Sequence, residues 1–151
     1  MRKIADIPRY TPQFWGKLAN DVVRKMKQHG AKGGKDAAGR PFKKYSDSYR
    51  SQKGAGKIRR QSSNSTKPDL MLTGDMWKDL KQIGSATKDG ATIGWASWGN
   101  KVEWNAEMGR TITTDKNPVA PGIQRFILKE IDKETSKNLK KVADTTTIRV
   151  G

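Results

Sequence analysis

The single histidine and the glycine-rich run after it are the first residues with a potential for chemistry. His29 stands directly before Gly30 at the predicted end of a helix, where the helix dipole favours a cation. We therefore interpret it as a capping residue and not as an acid–base catalyst. The run over residues 30–36 contains Gly-Gly-Lys, but a phosphate-binding loop of the Walker type needs glycine in place of His29 and serine or threonine in place of Asp36. We interpret the run as a flexible loop.

The carboxylates do not form a recognisable catalytic set either. Glu103 and Glu107 are four residues apart and can share a helical face, which is a common spacing for solvated charges. Neither has a matched base, nucleophile or metal partner nearby in sequence. With no cysteine and one histidine, a zinc site would need an unusual set of oxygen ligands. The sequence therefore predicts a protein that is not an enzyme and that has no metal site and no cofactor.

Positive charge is concentrated in one part of the chain. The 31 Lys and Arg residues against 15 Asp and Glu give a formal net charge of +16. Residues 24–67 contain 14 basic and two acidic residues, so this stretch alone carries +12. Such a field favours a nucleic-acid backbone, an anionic membrane or an acidic protein surface, and composition does not choose among them. The candidate contacts to a protein partner or DNA are Arg40, Lys43, Lys44, Arg50, Lys53, Lys57, Arg59 and Arg60.

Aromatic residues are interleaved with these basic residues. Phe42, Tyr45 and Tyr49 suit either base stacking beside phosphate contacts or anchoring of the segment to the core. The helical spacing between 45 and 49 lets one face pack inward, which favours anchoring. The tryptophans at 77, 95 and 104 are expected to serve the core or a subunit interface. The candidate interface residues are Phe42, Tyr45, Tyr49, Trp77, Trp104 and Arg110.

The apolar content predicts a thin core. Only 33% of the residues are hydrophobic and the mean hydropathy is −0.87, a pattern common in proteins that are completed by neighbours. No segment approaches the roughly 18 apolar residues that span a bilayer, and the start has no apolar run of signal-peptide length. We expect one soluble domain over residues 1–151, not exported and without a membrane partner. The lack of cysteine fits a reducing cytoplasm.

Helix signals stand near both ends of the chain. Thr11 followed by Pro12 is a typical helix start, and the apolar residues after it recur on one helical face, which predicts a helix over 12–29. Gly30 is expected to end that helix. A second long helix is predicted near the end, with a more polar second half that is expected to fray. Its apolar positions are Ile123, Phe126, Ile127, Ile131, Leu139 and Val142.

The residues between these helices divide into two parts. Residues 30–68 have little to bury, so we expect an extended basic loop that stays mobile until a partner arrives. Within it, Ser46 is expected to cap one short helical stretch that reaches Gln52. Residues 69–143 are expected to form a compact α+β part, and residues 144–151 a tail.

The compact part is expected to begin with a short helix capped by Thr73. Strands at 82–87 and 91–97 then flank Lys88-Asp89-Gly90, where Asp-Gly can supply the positive φ of a tight turn. A helix or strand follows over 102–108, then a further strand over 110–114 and a rigid turn over 117–121. The predicted fold class is α+β: a small antiparallel sheet covered by two long helices, with a long basic loop after the first helix.

Four short segments follow one another in order along the chain. They are GKDAAGRPF at 34–42, LMLTGDM at 70–76, VEWNAEMGR at 102–110 and NPVAP at 117–121. Together with the early amphipathic helix and the Asp-Gly hairpin, they resemble the virion-morphogenesis, or tail-completion, family of tailed phages, Mu-like morphogenesis protein included, and related head–tail joining proteins. Two positions depart from the family pattern: Met76 replaces an aliphatic residue, and the last segment lacks the usual Arg-Pro-Phe ending.

This resemblance implies a structural role without catalytic residues. The implied protein is a subunit of a six-fold ring in the neck, as a tail-completion or tail-terminator protein, located in the virion at the head–tail junction and assembled in the host cytoplasm. Its implied partners are copies of itself and other neck, connector or tail-tube proteins. The basic loop then faces either packaged DNA, through non-specific contact, or an acidic protein surface, which we favour. The alternative function is that of a standalone basic nucleic-acid-binding protein.

Overall fold

The computed structural model describes residues 10–71 and 74–145. These residues form an α+β fold with a small antiparallel sheet, as the sequence predicted, and the sheet has two strands. The helices are α1 (Pro12–Lys27), α2 (Asp47–Gly54), α3 (Asp75–Asp79), α4 (Gly99–Glu107) and α5 (Pro121–Thr145), and a π-helical turn (Gln28–Lys32) continues α1. The strands are β1 (Leu80–Ile83) and β2 (Thr92–Trp95).

Helix α1 begins as its sequence predicts and supplies much of the core. The Thr11 hydroxyl accepts a hydrogen bond from the backbone N–H of Phe14 at 3.1 Å, and Pro12 occupies the first helical position. The buried face of α1 packs on both strands, and α5 packs on the other side of α1. The buried positions of α1 are Leu18, Ala19, Val22, Val23 and Met26.

The prediction that Gly30 ends the first helix was wrong, because the chain continues in a π-helical turn to Lys32. Gly30 is buried at the point where the Trp77 ring crosses this turn, and a Cβ at Gly30 would overlap the ring atoms. The glycine therefore makes room for a core tryptophan. His29 lies in this π-helical turn, near the end of the helical stretch, and its Nε2 lies 2.9 Å from the carbonyl oxygen of Asp36.

Residues 30–68 are mostly irregular, as predicted, but they contain more ordered structure than an extended loop. Besides the π-helical turn, α2 spans eight of these residues, and the Ser46 hydroxyl accepts a hydrogen bond from Tyr49 N–H at 3.3 Å, which confirms the predicted cap. Lys35 and Pro41 form an isolated antiparallel bridge. The apolar content of the segment is low, so its order depends on polar contacts that apolar periodicity does not detect.

Hydrogen bonds of one aspartate shape the turn within that bridge. One carboxylate oxygen of Asp36 accepts from the backbone N–H groups of Ala38 and Arg40, at 2.9 and 2.8 Å, and the other accepts from the Arg40 side chain at 3.0 Å. Gly39 supplies the positive φ of 85° that the turn requires. The turn directs Phe42 into the core, where it is buried.

The predicted hairpin is confirmed with shorter strands. Leu80 pairs with Trp95 and Ile83 with Thr92, and Leu80 is fully buried beneath α1. The loop closes through a 2.8 Å hydrogen bond from Thr87 N–H to the Gly90 carbonyl. The positive φ lies at Gly84 and not at Gly90, so the expected role of the Asp-Gly pair was wrong.

Other predictions for the compact part had mixed outcomes. Residues 102–108 lie mostly in α4, which settles the choice between helix and strand in favour of a helix. Residues 110–114 form no strand; Ile112 is buried there, and the Thr111 carbonyl accepts one hydrogen bond from Ala37 N–H at 2.8 Å. Helix α5 continues to residue 145, through the half that was expected to fray.

Two expectations concern positions that the structure does not describe or that lie at its boundary. Thr73 falls outside the described residues, and α3 starts instead after Gly74, whose φ is 78°. The predicted tail from 144 onward overlaps the end of α5, and its remaining residues, 146–151, also lie outside the described part. Val119 and Ala120, in the predicted turn before α5, are buried.

The contact between Gly30 and Trp77 can be tested by adding one methyl group. We expect Gly30→Ala to lower the free energy of unfolding by about 1–3 kcal/mol, because the ring must shift to admit the Cβ. Gly99→Ala is the control, since a Cβ there meets no atom within 4 Å. Urea unfolding followed by tryptophan fluorescence measures both. Equal effects of the two substitutions would contradict this account.

Candidate functional site

A cleft of about 640 Å³ opens between α4 and residues 30–69, which we call the basic segment. The volume lies within the range of roughly 300–1,000 Å³ that is common for binding pockets. One wall contains Tyr45, Tyr49 and Arg60, and the base contains Leu70 and Met76. The other wall belongs to α4 and the residue before it. We call this space the α4 cleft.

The wall formed by α4 presents one helical face to the cleft. Its residues are spaced three or four apart, so their side chains point in the same direction. The ammonium of Lys101 lies 4.9 Å from the centre of the Trp98 ring, within the range of a cation–π contact. Asn105 donates to the Lys101 carbonyl at 2.7 Å and so stays on the helix surface. The four residues of this face are Trp98, Lys101, Asn105 and Met108.

Asp79 fixes the position where this wall begins. Its Oδ2 accepts hydrogen bonds from the backbone N–H groups of Ser97 and Trp98, at 2.7 and 3.0 Å. These donors precede the first turn of α4, where free N–H groups favour a negative charge. The hydrogen bond from Ser97 is the largest influence and lowers the pKa of Asp79; desolvation, next in size, opposes it, and the hydrogen bond from Trp98 lowers the pKa further.

Tyr45 is the centre of the opposite wall. Its ring lies 4.8 Å from that of Tyr49 in an edge-to-face arrangement. The Arg110 guanidinium and the Lys53 ammonium each lie 5.0 Å from the Tyr45 ring centre. Burial, and then the negative charge of Asp69, raise the pKa of the Tyr45 hydroxyl, which therefore stays protonated at neutral pH. The pKa of Tyr49 is also raised, chiefly by burial.

A buried ion pair holds this wall in place. Lys53 has a relative exposure of 0%, and its ammonium lies 2.5 Å from Oδ1 of Asp69, which is itself buried. Asp69 also accepts from the Ser63 hydroxyl at 2.6 Å and from Met71 N–H at 2.9 Å. Its backbone carbonyl accepts from Trp77 Nε1 at 3.0 Å. The ion pair thus connects α2 and the end of the basic segment to a tryptophan of the core.

Two residues of the cleft have a strained backbone. Arg60 has a φ of 60° and Leu70 a φ of 53°, and they are the two non-glycine residues with positive φ among those described. This conformation costs a residue with a side chain about 1 kcal/mol or more relative to its usual regions. Both residues line the α4 cleft. Strain of this kind is more frequent at binding sites than elsewhere.

The structure separates the eight basic candidates into different groups. Lys53 is buried in the ion pair with Asp69, so its prediction as a contact residue was wrong. Arg40 and Arg50 are exposed but paired, with Asp36 at 3.0 Å and Asp47 at 2.9 Å. Arg60 lines the α4 cleft. The others, Lys43, Lys44, Lys57 and Arg59, are exposed.

The six interface candidates also have different positions. Phe42 and Trp77 are buried in the core, so they were wrong as interface residues, and the burial of Phe42 agrees with the anchoring interpretation. Arg110 is mostly buried and donates to the carbonyls of Lys43 and Lys44, at 3.0 and 3.2 Å, which ties the start of the basic segment to the end of α4. The remaining three are open to solvent: Tyr45 and Tyr49 in part, and Trp104 by 53%.

Sequence reasoning missed most of the α4 wall and the aspartate that organises the opposite wall. Residues 98, 101, 105 and 108 have the spacing of one helical face, which is a detectable signal. The sequence predicts either a helix or a strand over 102–108, and this ambiguity hides the face. Asp69 offered no comparable signal, because its partner is 16 residues away in sequence. The carboxylates of Glu103 and Glu107 are both exposed, as expected for solvated charges.

The described residues offer binding surfaces more clearly than reactive groups. Within 10–71 and 74–145 there is no group of three or more His, Asp or Glu side chains that could hold a metal ion. In the same residues, no helix combines the length and the apolar character needed to cross a membrane. The α4 cleft combines partly exposed rings, cations and apolar side chains, which suits non-covalent recognition of a partner.

The buried ion pair can be tested by removing its positive partner. Lys53→Met is expected to lower the free energy of unfolding by about 3 kcal/mol, because Asp69 would remain buried without its counter-ion. Lys57→Met removes the same charge four residues away at an exposed position and should change stability by less than about 0.5 kcal/mol. Chemical denaturation of both variants measures the difference. Similar values for the two would show that the pair contributes little.

The role of Asp79 predicts a pH-dependent stability. Because its pKa is lower in the folded chain than in the unfolded chain, its charged form stabilises the fold above about pH 4, and this contribution is lost as the pH falls through the folded-state pKa. Asp79→Ala should therefore lower the melting temperature at neutral pH, with a difference from the wild type that shrinks in acid. Asp89→Ala, in the hairpin loop, is the matched control. A difference that is independent of pH would contradict this role of the Asp79 carboxylate as acceptor of the N–H groups before α4.

No protein-family model, no curated protein and no solved structure matches this chain.

Proposed function

We propose that the chain is a structural subunit of the head–tail interface of a tailed phage, a neck, tail-completion or tail-terminator protein that forms a ring and joins other neck, connector or tail-tube proteins. The observation that carries the proposal is the exposure of large apolar side chains on two different helices. Such side chains are costly to leave in water as a contiguous surface, and they favour burial against another protein.

The first of these surfaces is on α4. Trp104 is 53% exposed and Met108 is 50% exposed, and they are four residues apart on the helix. Tryptophan and methionine are enriched in protein interfaces relative to the rest of the surface. The side chain of Trp104 also lies close to Lys101, whose ammonium is 5.9 Å from the ring centre. This surface adjoins the α4 cleft, which includes Met108.

The second surface is on α5. Leu128 is 61% exposed and Leu139 is 50% exposed. They are 11 residues apart, which is close to three helical turns, so both lie on the same side of the helix. Partly buried residues of α5, such as Phe126 and Ile131, pack against the core instead. A ring built by head-to-tail contact needs two different surfaces on each subunit, and α4 and α5 supply two.

The segments that carry the phage resemblance have architectural roles in the fold. In the first segment, Asp36 forms a tight turn and Phe42 enters the core. In the third segment, Gly109 has a φ of 76° and allows Arg110 to turn back onto the basic segment. The described residues of these two segments shape the fold. Their architectural roles support the proposed relationship to the virion-morphogenesis family.

The alternative of a standalone nucleic-acid-binding protein has one observation in its favour. Lys43, Lys44, Lys57, Arg59 and Arg60 are exposed and have no ion-pair partner within the described part of the chain. That alternative predicts DNA affinity that falls steeply with salt and depends on these five residues.

The ring proposal is tested by assembly of the purified chain. We expect oligomers in mass photometry and rings in negative-stain images, either of the chain alone or after addition of isolated tails or connectors of its phage. Trp104→Ala and Leu128→Ala should each weaken assembly about tenfold, as removal of a large interface side chain commonly does. The controls are Glu103→Ala and Lys129→Ala, at exposed neighbouring positions. A chain that stays monomeric and ignores tails and connectors would refute the proposal.

A further inference from the structure

We infer that the α4 cleft is a docking site for an acidic peptide segment with an apolar anchor, supplied by a neighbouring protein of the particle. The inference deepens the proposed function and rests on it for the source of the segment. It assigns the partner surface to one side of the molecule and gives that partner a chemistry.

The residue types of the α4 cleft are those that bind proteins. Tyrosine, tryptophan, methionine and arginine are enriched in interfaces, whereas lysine and the acids are depleted. The cleft contains Tyr45, Tyr49, Trp98, Met76 and Met108, together with two arginines and one lysine. Methionine side chains adapt their shape to different partners, which suits the base and rim of a docking site.

The charges of the cleft call for an anionic partner. Arg60 and Lys101 have no ion-pair partner among the described residues, and both line the cleft, Arg60 from the loop after α2 and Lys101 from α4. The carboxylate of Asp75, which also lines it, lies 3.5 Å from the ammonium of Lys78. The cleft therefore has a positive excess that its own residues leave unmatched. A partner with carboxylates on both sides of an apolar anchor complements this arrangement.

A peptide suits the cleft better than a nucleic acid does. Leu70, Met76 and Met108 give the cleft an apolar base and rim, which an apolar side chain can bury against. A nucleic acid would instead require cations that follow its phosphates along the groove. The guanidinium of Arg110 is already occupied by two backbone carbonyls and the Tyr45 ring, so it is not free for a phosphate.

Arg60 provides an independent indication of a binding role. Its backbone has a φ of 60°, where glycine would be less strained. Its guanidinium makes no hydrogen bond or ion pair with any described residue, so the side chain does not offset this strain within the chain. An exposed arginine kept in a strained conformation at the edge of a cleft is explained by contact with a partner.

The test uses two substitutions in the cleft and two beside it. Arg60→Gly removes the guanidinium and relieves the backbone, so binding should fall while stability is retained. Lys101→Ala removes the cation of the other wall. The double variant Arg60→Gly/Lys101→Ala is compared with Lys57→Ala/Arg59→Ala, which removes the same charge from adjacent exposed positions that do not line the cleft. Urea unfolding verifies that each variant is folded.

The probes are three labelled ligands of equal charge, measured by fluorescence anisotropy at physiological ionic strength. They are a short peptide that combines glutamates with leucine and phenylalanine, an oligoglutamate, and a single-stranded oligothymidylate. We expect the mixed peptide to bind about tenfold more tightly than the oligoglutamate, because it alone buries an apolar anchor. The cleft double variant should lose about tenfold in affinity for this peptide, and the adjacent double variant less than about twofold.

Three results would overturn the inference. Equal affinity for the mixed peptide and oligoglutamate would mean that net charge alone attracts the ligand. Equal losses in the two double variants would place the contact outside the cleft. Tighter binding of oligothymidylate, lost in the cleft variant, would make the cleft a nucleic-acid site. Because these measurements use the isolated chain, they are independent of ring formation, so failure here and failure of the phage role are distinguishable.

Discussion

The ammonium of Lys53 and the carboxylate of Asp69 meet in a space closed to water, and three parts of the chain depend on their contact. Lys53 brings α2, and Asp69 brings the end of the basic segment. The Asp69 carbonyl accepts from Trp77, whose ring packs over Gly30 in the π-helical turn that follows α1. Burying two charges is costly, and here hydrogen bonds from Ser63 and Met71 offset part of that cost. A polar contact therefore positions a tryptophan of the apolar core.

Elsewhere in the positively charged part of the chain, aspartates also make polar contacts that stabilise local structure. Asp36 holds the turn before Phe42, Asp47 pairs with Arg50 on α2, and Asp69 holds Lys53. Like charges at this density repel one another, so each acid both forms local structure and reduces the repulsion. The remaining cations are left at the surface. The surplus of positive charge thus affects both the folding of this segment and its proposed attraction for an acidic partner.

The difference between local sequence signals and polar contacts of distant residues explains which parts of the fold were predictable from the sequence. Helix α1, the hairpin and α5 follow from caps, periodicity and turn residues that lie close together in sequence. The basic segment was predicted to be an extended, mobile loop because it has few apolar residues. Its order depends on Asp69 and Lys53, which are 16 residues apart, and on Arg110, which reaches back 67 residues to Lys43. Local patterns do not reveal pairs at such separations, and so Lys53 was expected to contact a partner although it is buried.

The two walls of the α4 cleft are fixed by separate polar contacts before any partner is present. Asp79 sets the start of α4, and the Lys53–Asp69 pair sets the position of Tyr45. A segment that orders only on binding must lose its conformational freedom at that moment, which weakens the interaction. A cleft with both walls already held avoids most of this cost, so even a modest contact area can support specific docking. In the docking that we propose, the partner is selected by complementarity to Arg60, Lys101 and the apolar residues of the cleft, and the basic segment presents a preformed surface.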